Sequence, residues 1–495
     1  MKLIISIFLV SLHHILLAQL QVAKPFSDNM VLQRNKPIVI WGNGLPNAVV
    51  QCTLGDEVKE TTISDDAKWR IQFSSRELST KPIDIKVQSG KEVIYFHNIL
   101  IGDVWLCIGQ SNMEWPMRNE KNWNTFSAIP SHDLIRFLNP IPAGRNIYNQ
   151  TYNDSLLKRL SPDLFYMWDG WQIASKNSLT NMSAVAFFFA DAILKKVEVP
   201  TGLINLSIGG APIETFIDEK LLKMSPQFSP KVNGDWRLNN SLPEWIRLRG
   251  RQNLDTTLPL FKDDSGPNHA FKPGFAFSSG IYPLKELSIT GVLIYQGESN
   301  AEESKSVAEY GNLFIMMVNG YRDLWGNKNL PVYWVQLSSI QREYWPSFRD
   351  EQRKLIDSIK NGGIVVTSDI GHPTDVHPTD KKTVGERLSR WALHDIYKKH
   401  IRVSGPLPLK AIYKKGKVVI YFNHASELKT SDGQEPREFS FDAKNDVRVE
   451  IKKNKVIIPS DNAPVYIFYG WKPFSKGNLV NESGLPASTF KLKVN

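Results

Sequence analysis

Between residues 20 and 98 the chain alternates apolar and polar positions in short runs broken by turn signals. Pro37-Ile38-Val39-Ile40-Trp41 leads into Gly42-Asn43-Gly44, and Val49-Val50-Gln51-Cys52-Thr53-Leu54 follows. Runs at 69–73, 83–87 and 93–96 repeat the pattern. A period of two with no helical period predicts a small antiparallel, sandwich-like β domain over 19–98. The rhythm changes at Ile99. From there to 404, short apolar runs alternate with helical stretches: 183–197 reads as a helix feeding a strand at 201–206, 289–295, 332–336 and 363–367 read as core strands, and 382–398 as a closing helix. Strand–helix alternation predicts an α/β domain over 99–404, with a mostly parallel sheet covered on both faces. Inside it, 222–274 is polar, contains Trp and Pro, and reads as an insertion. After Gly405-Pro406 the β pattern returns at 417–422, 447–451 and 465–469, predicting a C-terminal β domain over 405–495.

Length agrees with several domains, since 495 residues exceed one ordinary core. A hydrophobic fraction of 42% with 22% charged residues excludes a disordered chain. The N-terminus modifies the picture: Lys2, an apolar stretch from Leu3 to Leu17, then Ala18-Gln19 reads as a secretory signal over 1–18. The apolar stretch is short for a membrane span, so no stable membrane insertion is expected. The expected location is secreted: periplasmic or extracellular, or lumenal in a eukaryote. The net charge of +10 is scattered along the chain in nothing longer than doublets such as Lys195-Lys196, which fits a solvated basic surface and not a nucleic-acid site. Cys52 and Cys107 are the two cysteines; an oxidising compartment permits a bridge, but Cys107 sits in an apolar run, where a free buried thiol is expected. No zinc-type spacing occurs.

Four stretches of the middle segment carry candidate chemistry. Asp103 to Met113 is an apolar strand that breaks at Gly109 and places Gln110-Ser111-Asn112 after the break. A serine at a strand-end turn is a candidate nucleophile, because the turn exposes a hydroxyl that the strand holds still; the same residues also suit a helix N-cap. Asn205 to Glu214 contains Gly209-Gly210, which allows close backbone approach to a ligand. Gln296-Gly297-Glu298-Ser299-Asn300-Ala301 offers an amide donor in Asn300, or a cap for the helix behind it. Asp369-Ile370-Gly371-His372-Pro373-Thr374-Asp375-Val376-His377-Pro378 offers His377 as a base with Asp375 as its carboxylate. A metal site from Asp369, His372, Asp375 and His377 is the competing reading of that loop.

In this order the four stretches resemble the SGNH hydrolases and, more narrowly, the sialate O-acetylesterase family of carbohydrate esterases. Phe26-Ser27-Asp28-Asn29-Met30-Val31-Leu32-Gln33, Gly385-Glu386-Arg387-Leu388 and Gly484-Leu485-Pro486-Ala487 extend the resemblance over nearly the whole mature chain. It implies a flavodoxin-like, three-layer SGNH hydrolase domain flanked by the two β lobes, acting as a secreted serine esterase that removes O-acetyl groups from sugars. Ser111 is then the nucleophile, His377 the general base and Asp375 its partner. The backbone N–H groups of Ser111 and Gly210 and the side chain of Asn300 form the oxyanion hole. Gln110, Asn112, Gln296 and Glu298 are candidate substrate contacts. The implied chemistry uses no metal and no cofactor, and the implied partner is an O-acetylated carbohydrate: sialoglycan first, acetylated xylan or pectin as the alternative, with an inactive carbohydrate-binding protein as a further one. One departure bears on mechanism. The superfamily spaces its late pair as Asp-x-x-His, whereas here Thr374 holds the acid position and Asp375 lies two residues before His377. The partner of His377 is therefore Asp375, Asp369 or a backbone carbonyl.

Overall fold

The computed structural model describes residues 19–126, 132–254 and 261–495. The expected signal at 1–18 lies outside the described residues. The protein is a mixed α/β structure around an eleven-stranded mixed sheet. Its main path runs, in spatial order, through Trp171–Ala174, His132–Leu138, Thr201–Asn205, Glu92–Gly109, Gly291–Tyr295, Val332–Gln336 and Gly362–Val366. Trp171–Ala174 pairs antiparallel to its neighbour, and the other pairs along this path are parallel. Thr201–Asn205, Gly291–Tyr295 and Val332–Gln336 are buried at every position, so both their faces are covered, which is why their sequences are mostly apolar instead of alternating.

Helices supply the cover. Ala184–Leu194 begins where the Ser183 hydroxyl accepts the Ala186 N–H at 3.2 Å, and it packs against Lys381–Asp395, which Asp380 caps through the N–H of Thr383. Ser304–Leu324 packs against Trp345–Ser358. Toward the C-terminus, Leu407–Tyr413, Lys417–Asn423, Lys455–Pro459 and Glu450–Lys452 form an antiparallel sheet. Phe439–Ser440, Tyr466–Tyr469 and Phe490–Lys493 form another, around a separate apolar cluster that includes Val418, Ile420, Ile458 and Phe490. Arg349, wholly buried, ties this region to the rest: Nη2 donates to the carbonyls of Gly470 and Lys472 at 2.9 and 2.8 Å, and Nη1 to Ser339 Oγ at 2.9 Å.

The chain crosses position 98/99 inside one unbroken strand. Glu92–Gly109 pairs with Ser79–Ser89 along its first half and with Thr201–Asn205 and Gly291–Tyr295 along its second. The change of rhythm at Ile99 marks a change from one-sided to two-sided burial, not a linker. Val31–Gln33 joins this strand in parallel at Leu100–Gly102, and Asp103 just beyond is the anchor. Its buried carboxylate accepts from Arg34 through both oxygens at 2.9 Å, from Gln33 at 3.1 Å, from Thr290 at 3.1 Å and from Tyr397 at 2.8 Å. Asp103→Ala leaves these donors without their acceptor and is expected to cost ~3 kcal/mol. Urea unfolding checks this, and an unchanged midpoint would contradict it. Cys52 and Cys107 are both free and buried, and burial pushes the Cys52 thiol up to about 12.

Candidate active site

Glu92–Gly109 is where the sheet's connections change direction: its neighbours Thr201–Asn205 and Gly291–Tyr295 follow it in the chain on opposite sides. Crevices at the carboxyl ends of such strands are where open α/β sheets bind ligands. Three of the four candidate stretches leave the sheet there. Gly109 makes the turn possible: its φ is +139°, and a Cβ would lie 2.0 Å from the Tyr295 carbonyl oxygen. Ser111 follows as the first residue of the short helix Ser111–Glu114.

The loop after Gly362–Val366 brings His377 across to it, with Nε2 2.8 Å from Ser111 Oγ. His377 Nδ1 lies 3.3 Å from Asp375 Oδ1, which also accepts the His377 backbone N–H at 2.8 Å. With the imidazole proton on Nδ1, facing the carboxylate, Nε2 is the acceptor of the serine hydroxyl. Asp375 is 56% exposed, so this carboxylate works through solvent-screened attraction. Asp369 is engaged elsewhere, in a two-pronged pair with Arg387 at 2.6 and 2.7 Å. His372 Nδ1 accepts the backbone N–H groups of Thr374 and Asp375. The four side chains of the metal reading are thus not gathered. The His377 ring stacks on Trp115 at 5.3 Å. Partial burial and the nearby charge of Lys381 lower its pKa below the ordinary 6.5, against the opposing pull of Asp375.

Ser111, Gly210 and His377 line one cavity of about 670 Å³ together with Gln110, Glu298 and Trp245. Gly210 has φ +75°, and neither its N–H nor that of Ser111 donates to a described residue. Gln110 staples the two turns, its Oε1 accepting from the N–H groups of Gly297 and Ser299 at 3.4 and 3.3 Å and its Nε2 donating to Ser299 Oγ.

Asn300 departs from its expected place. It is wholly buried and absent from the cavity wall, its Nδ2 donating to Glu214 Oε2 at 3.0 Å and its Oδ1 accepting from Ile213 N–H and Gln296 Nε2 at 3.0 and 2.9 Å. The cause is Glu214, a carboxylate with no solvent exposure that needs donors and takes Lys231 at 3.0 Å and the Asn300 amide. Gln296 turns inward with it. Asn112 also lies beneath the cavity: its Nδ2 donates to Glu298 and, at 3.0 Å, to the Val376 carbonyl, and its Oδ1 accepts from Lys381. Asn112 therefore braces the loop that presents His377 against the turn that presents Ser111. Burial raises Glu298 to about 7 and lowers Lys381 to about 7. Lys381, Trp115 and the cavity residues Tyr148, Trp245, Arg249 and Arg342 escape motif reading; a buried lysine at a helix start looks in sequence like any solvated one.

Known proteins resemble this chain along most of its length. The family described as "Carbohydrate esterase, sialic acid-specific acetylesterase" matches residues 278–394. The sialate O-acetylesterase of Rattus norvegicus is 26% identical over 432 residues, covering 78% of this chain and 75% of its own length. The Homo sapiens enzyme is 28% identical over 424 residues, covering 78% and 73%. The crystal structure of a carbohydrate acetylesterase from Xanthomonas citri superposes with a TM-score of 0.77 at 26% identity, covering 96% of this chain and 99% of that one. The chain is a carboxylic ester hydrolase. Within that class it is similar to the sialate O-acetylesterases along most of its length. Among the described residues no helix is long and apolar enough to cross a membrane.

Proposed function

We propose that the protein is a secreted serine esterase that removes O-acetyl groups from sugars, with O-acetylated sialic acid as its substrate. The observation that carries the reading is the 2.8 Å approach of His377 Nε2 to Ser111 Oγ on the wall of an open cavity. The catalytic unit is an SGNH-type domain spanning 99–404, with β lobes on either side. Ser111 Oγ attacks the acetyl carbonyl as its proton passes to His377 Nε2, because a serine hydroxyl is a weak nucleophile until a base takes its proton. The tetrahedral oxyanion is met by the backbone N–H groups of Ser111 and Gly210, each aimed donor lowering the barrier by roughly 3 kcal/mol. Asn300 supports this cradle from beneath, through Ile213 and Glu214. His377 returns its proton to the departing sugar oxygen, leaving acetyl-Ser111. Water then enters through the same base and releases acetate. Asp375 holds the imidazole with its Nε2 toward the serine.

Acetate release from 9-O-acetyl sialoglycan, acetylated xylan and acetylated pectin, run side by side, tests the reading. Turnover is expected to be fastest on the sialoglycan. Faster turnover of either plant polymer would reassign the substrate, and no acetate from any of the three would point to a carbohydrate-binding protein.

A further inference from the structure

The cavity that holds Ser111 and His377 is also lined by two guanidinium groups, on Arg249 and Arg342. They differ in one respect. Arg342 is ion-paired with Glu302 and lies over the Trp345 ring at 5.3 Å. Arg249, on the helix Glu244–Asn253, makes no ion pair or hydrogen bond with a described residue, and its Nη1 is buried without an acceptor. An arginine keeps its charge at any physiological pH, and a buried donor left unmade is costly, so such a group in a ligand cavity is poised for an acceptor from outside.

Its placement says which part of a ligand it meets. The Arg249 guanidinium lies 5.0 Å from the centre of the Tyr148 ring. The Tyr148 hydroxyl reaches Gly209, where a Cβ would come within 2.8 Å of it. Arg249 therefore stands one tyrosine ring away from the turn that carries Gly210. The acids of the wall leave it available: Glu302 belongs to Arg342, Glu303 accepts the backbone N–H of Glu244, and Glu298 is held by Asn112. Glu244 is exposed at the helix start, one turn and more away from Arg249.

We propose that Arg249 is a specificity-determining residue that binds a carboxylate of the sugar, so that the site prefers O-acetylated sugar acids over neutral acetylated sugars. The proposal rests on the esterase reading above and deepens it. A guanidinium fork matches a carboxylate through two parallel hydrogen bonds, and the Tyr148 face beneath it holds the fork in plane. Sialic acids and galacturonates both present the group, whereas xylose units do not.

The test measures kcat/KM for wild type, Arg249→Gln and Arg249→Lys on four substrates: O-acetylated N-acetylneuraminic acid and its methyl ester, and O-acetylated galacturonic acid and its methyl ester. Wild type is expected to favour free acid over methyl ester by about tenfold or more, mainly through KM, as befits a charge-assisted pair. Arg249→Gln should bring that ratio close to one, and Arg249→Lys should keep part of it. Whichever acid shows the larger ratio identifies the sugar. A wild type indifferent to esterification, or a ratio untouched in Arg249→Gln, overturns the role of Arg249 while the esterase reading stands. Should no substrate release acetate, the esterase reading fails. Calorimetric binding of N-acetylneuraminic acid and galacturonic acid then decides the matter: weaker binding by Arg249→Gln supports the carboxylate site, and equal or absent binding overturns it.

Discussion

Ser111→Ala is expected to lower kcat on an O-acetylated sugar by about five orders of magnitude while leaving the protein folded. The hydroxyl makes a single side-chain hydrogen bond, to His377, and removing it opens no large core cavity. What remains is a cavity with its backbone donors in place, and such sites retain a residual rate above that in water. In the proposed mechanism Ser111 and His377 act as one unit, so a double replacement should cost little more than either alone. Acetate release with the thermal unfolding profile as control checks this. Equal rates for wild type and Ser111→Ala would sink the mechanism.

His377→Ala is expected to produce a loss of similar size, and the pH profile of the intact enzyme identifies the group more sharply. The base must be neutral to take the serine proton. Partial burial, and next the charge of Lys381, lower the His377 pKa below 6.5, so the neutral form persists further into acid than for an ordinary histidine. The acid limb of kcat/KM should accordingly fall below pH 6.5. Lys381→Met removes a repelling cation, raises the His377 pKa and moves the limb upward; Asp375→Asn removes an attracting anion and moves it downward. The Asp375 change should also cost about fivefold in kcat, a modest loss because an exposed carboxylate stabilises the imidazolium by only ~1 kcal/mol. An acid limb that ignores the Lys381 change would remove His377 from the role of base.

Much of the central sheet is legible from apolar runs. The run at 332–336 is the strand Val332–Gln336, and the helix expected at 183–197 is Ala184–Leu194, shortened where Lys195, Lys196 and Val197 turn toward Pro200. Trp345–Ser358 was not legible, for a physical reason. Its buried face carries Trp345, Phe348 and Leu355, but also Arg349 and Gln352, which feed backbone groups of other segments. Polar residues satisfied in the core break the apolar stripe by which a helix is recognised. The site divides in the same way. Ser111 and His377 stand in motifs whose geometry is local, and the structure places them together. The inward turn of Asn300 depends on the Glu214–Lys231 pair, whose members lie far from it in sequence, and Arg249 comes from the polar insertion, where nothing in the pattern distinguishes it from a solvated charge.

The unbroken strand Glu92–Gly109 bears on how the molecule can be taken apart. A chain trimmed to begin at residue 99 would lose Val31–Gln33 and Ser79–Ser89 as pairing partners, exposing a strand edge of the kind that recruits other chains. It would also strip Arg34 and Gln33 from Asp103, eight residues before the serine. The N-terminal strands are thus the footing on which the reactive turn stands, and a shortened esterase intended for biotechnology should retain them.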